Sequence, residues 1–103
     1  MERYFEWDDR KAATNYRKHG IHQFAEAARV FYDPFSLSKQ DRIENGEQRW
    51  QTIGIVGSSS LLLLVAHTAR LEDEGIEVVR IISARRADRK ERKRYEQGSI
   101  QTG

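Results

Sequence analysis

Cysteine is absent from this 103-residue chain, and proline and methionine occur once each. Without cysteine there is no disulfide and no thiolate, so nucleophilic catalysis through sulfur is excluded. The longest apolar run, Leu61 to Ala66, is six residues, against the roughly 20 needed to cross a bilayer. The opening MERYFEWDDRK has neither the cationic nor the apolar region of a signal peptide. A cytoplasmic protein with no membrane partner is therefore expected. Gly54 to Ser60 (GIVGSSS) lacks the lysine of a phosphate-binding loop, and no Gly-x-Ser-x-Gly elbow occurs. The three histidines, His19, His22 and His67, stand apart with no matching carboxylate spacing. That argues against a zinc site, and no cofactor is expected.

What the chain has in quantity is charge, 33% of its residues, unevenly spread. Between Arg80 and Arg94 there are eight Lys or Arg against Asp88 and Glu91, a local excess of six. The whole chain is only +2, which leaves −4 for the remainder. One edge of a small domain thus attracts an anion and the rest does not. A hydrophobic fraction of 38%, gathered in periodic runs, suits one folded domain over residues 1–103.

Arg3 to Trp7 reads as a short aromatic strand. Asp8 or Asp9 caps a helix to about His19, stopped by Gly20, with Ala12, Ala13 and Tyr16 as its inner stripe and Arg10, Lys11, Arg17 and Lys18 in solvent. A second helix runs from about His22 to Tyr32, with Phe24, Ala27, Ala28 and Phe31 on one face, and ends at Asp33-Pro34. Strands follow at Phe35–Lys39, Arg49–Val56, Leu61–Thr68 and Ile76–Ala84, with turns at Asn45-Gly46, Gly57–Ser60 and Glu72–Gly75. Asp88 caps a basic helix to about Gln97, and Ser99 to Gly103 is read as a frayed tail. The fold class is α+β: two N-terminal helices packed on one face of an antiparallel sheet, the other face partly open, and a C-terminal basic helix.

Arg80 lies mid-strand between Val79 and Ile81, so it is either ion-paired or facing an open groove that takes phosphate. Arg85 and Arg86 follow closely, and guanidinium binds phosphate through a two-donor fork. His67 ends an apolar strand beside the last one, either as a structural residue or as an acid or base near neutral pH. His19 suits the C-terminal end of its helix and His22 a cap. Two functions remain open at this point. One is an enzyme acting on a polyanion; the other is a non-catalytic module that uses its basic edge to hold nucleic acid or an acidic protein.

The chain also carries FEWD with Lys11, Ala12 and Asn15, then KHGI, FAEAARVFYDP, a tryptophan segment at Glu47–Trp50, TIG at Thr52–Gly54, VAHT at Val65–Thr68, and RIISARRADRKERKRYE at Arg80–Glu96. In these motifs it resembles the BrnT family of toxins from type II toxin–antitoxin systems, over about nine-tenths of its length. It departs at His22, where Ser or Thr is usual, and in the Gly57–Ser60 loop, which lacks a basic residue. The resemblance implies a RelE-like fold and a metal-independent RNA endonuclease that arrests translation. It also implies a ribbon-helix-helix antitoxin of the BrnA kind, with operator DNA bound only through their complex. On that footing Arg80 and Arg85 would meet the phosphate and His67 would move the proton. Arg49, Arg86 and Lys11 would position the substrate.

Overall fold

The computed structural model describes residues 2–20, 24–57 and 61–101, with side chains as far as Gly98. His22, expected to cap the second helix, lies outside these residues, as do most of the Gly57–Ser60 loop and the last two positions of the tail.

Strand β1 (Arg3–Trp7) leads into helix α1 (Asp9–His19). Asp8 accepts from the backbone N–H groups of Arg10 and Lys11, satisfying donors that the first turn leaves free. Gly20, at φ 71°, closes the other end by donating its N–H to the Tyr16 carbonyl at 2.8 Å. The stretch with the Phe24 periodicity forms a four-residue helix, α2 (Phe24–Ala27), which tightens into a 3-10 turn over Ala28–Tyr32. Four strands follow: β2 (Leu37–Glu44), β3 (Glu47–Ile55), β4 (Leu62–Glu72) and β5 (Ile76–Arg86). Asn45 and Gly46 both adopt positive φ, which an Asn-Gly hairpin turn requires. Helix α3 (Arg89–Gln101) ends the chain, beyond the Gln97 expected from sequence.

The sheet order is β1-β5-β4-β3-β2. Strands β2 to β5 alternate in direction, but β1 runs parallel to β5, from Arg3 opposite Glu77 to Trp7 opposite Ile81. The expected antiparallel sheet carrying two N-terminal helices on one face, the RelE-like arrangement, is therefore corrected: the sheet is mixed and the second helix is a single turn. Short turns force antiparallel neighbours among β2 to β5. No turn joins β1 to β5, so burial of Phe5 and Trp7 against the core sets its direction instead.

The helices also pack differently from the expectation. The buried residue of α1 is Asn15, whereas Tyr16 is exposed and Ala13 faces solvent. Beyond the end of β1, Asn15 donates its Nδ2 to the Ala84 carbonyl at 2.9 Å and accepts the Ala84 N–H at 3.0 Å. One amide side chain thus replaces a missing strand partner. Phe24, Ala27, Ala28 and Val30 pack on the face of Leu63, Val65, Val79 and Ile81. There the 3-10 turn meets β3 at Gly54, where a Cβ would come within 2.8 Å of the Val30 carbonyl oxygen. The opposite face holds a second cluster, Ile53, Leu62 and Leu64, covered by Tyr95 from α3. Helix α3 is thus the lid on one end of that face, and the rest of it stays uncovered.

Asp33 ties these layers together. Its carboxylate accepts from the Phe35 N–H at 2.9 Å, the Ile55 N–H at 2.8 Å and the Tyr95 hydroxyl at 2.6 Å. Burial alone would raise its pKa, but the three donors outweigh burial and hold it below the ordinary carboxylate value. Burial and the same contact push Tyr95 up to about 12. Tyr95→Phe removes a hydrogen bond to a charged acceptor and should lower the unfolding free energy by about 1.5–3 kcal/mol. Urea unfolding followed by tryptophan fluorescence measures it, and an unchanged midpoint would show that the contact does not hold α3.

Candidate active site

Side chains alternate across a strand, so the registers assign each site residue to a face. On β3, Glu47, Arg49 and Gln51 point away from the helical layer, on the side opposite Trp50, Thr52 and Gly54. On β5, Arg80 stands opposite Thr68, Ser83 opposite Ala66 and Arg85 opposite Leu64. All of these belong to the face that α3 covers only at one end. Between the Arg80 and Arg85 positions the floor is Ser83, Ala66 and Gln51, in register across three strands. Ser83 and Ala66 are small, whereas the longer Gln51 donates its Nε2 to Asp41 at 3.2 Å, so the shallow trough lies over β4 and β5. It spans four β4 residues, Thr68 to Leu64, about 13 Å at the usual rise.

Each guanidinium of this face has a carboxylate beside it. Arg80 is hydrogen-bonded to Glu47. Arg49 lies 3.5 Å from Glu44, the cross-strand partner of Glu47. Arg85 holds Glu91 by two parallel bonds of 2.8 Å, which raises its own pKa and lowers that of Glu91. The two kinds of pair differ in weight. Arg80 and Glu47 are 38% and 41% exposed, so their pairing contributes no more than about 1 kcal/mol and exchanges readily. Glu91 is only 12% exposed. It also accepts the Asp88 N–H while Asp88 accepts the Glu91 N–H, both at 2.8 Å, a reciprocal cap on α3. Arg85 is therefore anchored to the start of the helix, whereas Arg80 is loosely held. Arg49 is the tightest of the three: its side chain is 15% exposed and its Nε is buried with no hydrogen-bond partner.

The remaining sequence candidates lie elsewhere. His67 pairs with Trp50 and Ile81, on the helical side of the sheet, 4% exposed and edge-on to Phe31 at 4.8 Å. Its Nδ1 is 3.3 Å from the Thr68 carbonyl, which only accepts, so Nδ1 carries the proton. Nε2 then accepts from Thr52 at 2.7 Å, and Thr52 in turn accepts from Ser38 at 2.7 Å. Desolvation pulls the His67 pKa below its ordinary value, so the ring stays neutral. Although adjacent in sequence to Thr68, which faces Arg80, His67 does not reach the arginine face. Arg86 stands opposite Leu63, also on the helical side, at the exposed end of β5. Lys11 lies on α1, beside the β5 edge. The residue that sequence reading missed is Glu47. Its signal was position, two residues before Arg49 and directly after the Asn45-Gly46 turn.

A cavity of about 610 Å³ opens near Asp33 and Tyr95, but those polar groups are engaged with each other. Arg29 lines it, but Arg49, Arg80 and Arg85 do not.

Guanidinium groups on an uncovered sheet, with an exchangeable carboxylate among them, define a small α+β protein equipped to hold a polyanion. The profile of the family described as ribonuclease toxin, BrnT, of type II toxin–antitoxin systems matches residues 7–91, and the chain belongs to that family. RNA is thus its substrate class and a protein antitoxin its partner. No curated protein sequence matches the chain. Among the described residues, no helix is long and apolar enough to cross a membrane.

The buried neutral His67 has a pH consequence. Its folded pKa lies below the unfolded value of about 6.5. The unfolded state therefore binds the extra proton first, and stability should fall as pH drops from about 7 towards 5. His67→Gln should flatten that decline in thermal melts. An equally steep decline in the variant would assign the acid sensitivity to other groups.

Proposed function

We propose that this protein cleaves RNA on the uncovered sheet face without a metal ion. The reaction puts the 2′-hydroxyl oxygen onto the adjacent phosphorus while the bond from phosphorus to the 5′-oxygen breaks. Glu47 is the carboxylate that takes the 2′-hydroxyl proton, and the departing 5′-oxygen draws its proton from solvent. The products are a 2′,3′-cyclic phosphate and a 5′-hydroxyl. Arg80 leaves its pairing with Glu47 to meet the phosphate, which frees the base and stabilises the crowded phosphorane in one motion. Arg49 and Arg85 hold neighbouring phosphate oxygens, and Lys11 contacts the strand further along.

The observation that carries this reading is the Arg80–Glu47 pair, a cation and a carboxylate on the open face, 38% and 41% exposed, which can separate at low cost. Among the described residues no three His, Asp or Glu side chains gather closely enough to hold a metal ion. His67, buried on the other side, is read as structural. On resemblance alone, the antitoxin is a ribbon-helix-helix protein of the BrnA kind that brings the pair to operator DNA. The toxin, one domain over residues 1–103, acts in the cytoplasm and arrests translation.

Purified protein in EDTA should cleave single-stranded RNA and leave cyclic phosphate ends. Arg80→Ala and Glu47→Gln should each slow cleavage by about 10²–10⁴-fold, and His67→Gln by less than tenfold. Full activity in Glu47→Gln would remove it as the base. Tight RNA binding with no cleavage under any condition would favour a non-catalytic module.

A further inference from the structure

We infer that α1 and the free part of the β5 edge form a second anion subsite, which holds the RNA backbone as it leaves the sheet face. The inference rests on the reading of RNA as the ligand of that face. Strand β1 covers the β5 edge only as far as Ile81. Beyond it, Asn15 occupies the Ala84 backbone groups, and α1 runs alongside. A cavity of about 290 Å³ separates the two, with Arg10, Lys11, Thr14 and Lys18 on the helix wall and Ile82 and Ser83 on the strand wall. The helix spacing explains the wall. Positions 10, 14 and 18 succeed one another at intervals of four, and 11 precedes 15 by the same interval. These cations extend over about 12 Å of helix.

Charge distinguishes this groove from the face next to it. Each arginine of the sheet face has a carboxylate, but the groove lining contains none. The Asp8 carboxylate is turned back onto the N–H groups of Arg10 and Lys11, from which it accepts. Among the described residues Arg10, Lys11 and Lys18 form no ion pair. Asp8 balances Arg10 and Lys11 in part from outside the groove, but with no carboxylate in the lining the cations still repel one another, and an anion relieves that repulsion. The groove is also continuous with the reaction face. Ser83, on its strand wall, is in register with Ala66 on the trough floor. The register slips there, so that Ile82 is an extra residue which turns the edge towards α1.

The lining favours nucleic acid over an acidic protein segment. Protein docking sites carry buried aromatic or aliphatic anchors at their centre, and the only aliphatic member here is Ile82. A sugar-phosphate backbone needs cations and hydroxyls, which the groove supplies.

The test measures binding, so it reads the groove independently of cleavage. The probe is a single-stranded 2′-O-methyl RNA of 12 nucleotides, which cannot be cut, titrated by fluorescence anisotropy at several salt concentrations. In Arg10→Gln/Lys18→Gln the slope of log K against log salt should fall by about 1.4, about 0.7 for each lost contact on a single strand. The affinity ratio of wild type to variant then shrinks about sevenfold between 50 and 200 mM salt. Arg29→Gln/Arg42→Gln, on exposed positions of the 3-10 turn and β2, makes the same change in net charge and should keep the wild-type slope. Equal slopes for the two double variants would overturn the subsite, and so would a wild-type slope in the groove variant accompanied by weakened antitoxin binding. If the double variant does not fold, Lys18→Gln alone is read the same way for half the change. A protein that shows the slope change yet never cleaves RNA would refute the nuclease reading and leave the groove standing.

Discussion

The carboxylate of Asp33 receives three donors from three parts of the chain: the loop after the 3-10 turn, the end of β3 and helix α3. None of these parts is long enough to hold itself in place. The 3-10 turn spans five residues, and among the described residues of α3 Tyr95 is the one buried side chain in the second cluster. Without that anchor a helix so rich in Lys and Arg would have little reason to lie on the sheet. Because α3 is fixed there, its first turn sets Glu91, and Glu91 sets Arg85. A structural contact at one end of the domain thus determines where a cation stands on the face that meets substrate.

The two faces of the sheet divide the chemistry. One is closed by α2 and the 3-10 turn, and every polar group on it must find a partner inside. His67, Thr52 and Ser38 do so as a chain of hydrogen bonds. The other face is capped only where Tyr95 lies, and its guanidinium groups stay within reach of water. A one-residue step along β4 or β5 moves a side chain from one regime to the other. Thr68 and His67 are neighbours in sequence, yet one faces the arginine trough and the other is buried beneath Phe31.

That step explains which features were legible in the sequence. Asp8, Gly20, Asn45-Gly46 and Asp33-Pro34 carry their structural meaning in their own residue types, and each is found at the expected place. The alternation of β3 to β5 is equally local, since short turns dictate it. The pairing of β1 with β5 spans some seventy residues and no local rule governs it. Asn15 escaped notice because an amide in a helix reads as a surface residue until a bare strand edge lies next to it. The excess of positive charge after Arg80 pointed to a strand whose Arg80 and Arg85 share one sheet face. Its partition into pairs did not follow, because Glu47 comes from a distant strand. His67 was left open between a structural residue and an acid or base for a related reason: sequence gives the parity of a strand residue, but not which parity is covered.

The pairing of arginine with glutamate across the open face has its own logic. An enzyme for a polyanion must display cations, and a 103-residue domain that crowded them unbalanced would work against its own folding. Glu47, Glu44 and Glu91 lower that self-repulsion while the face is empty. The arrangement stays useful only if the pairs differ in strength. Arg85 is kept by a part-buried bidentate contact with Glu91, which also caps a helix, so it serves as a fixed point. Arg80 is kept by an exposed contact of small net value, so phosphate can take the carboxylate's place at low cost. In the proposed reaction the carboxylate thereby released takes the 2′-hydroxyl proton. Neutralisation of the resting face and activation of the base would then be two states of one ion pair, and the α1 groove, whose lining has no acid, would hold the strand while that exchange occurs.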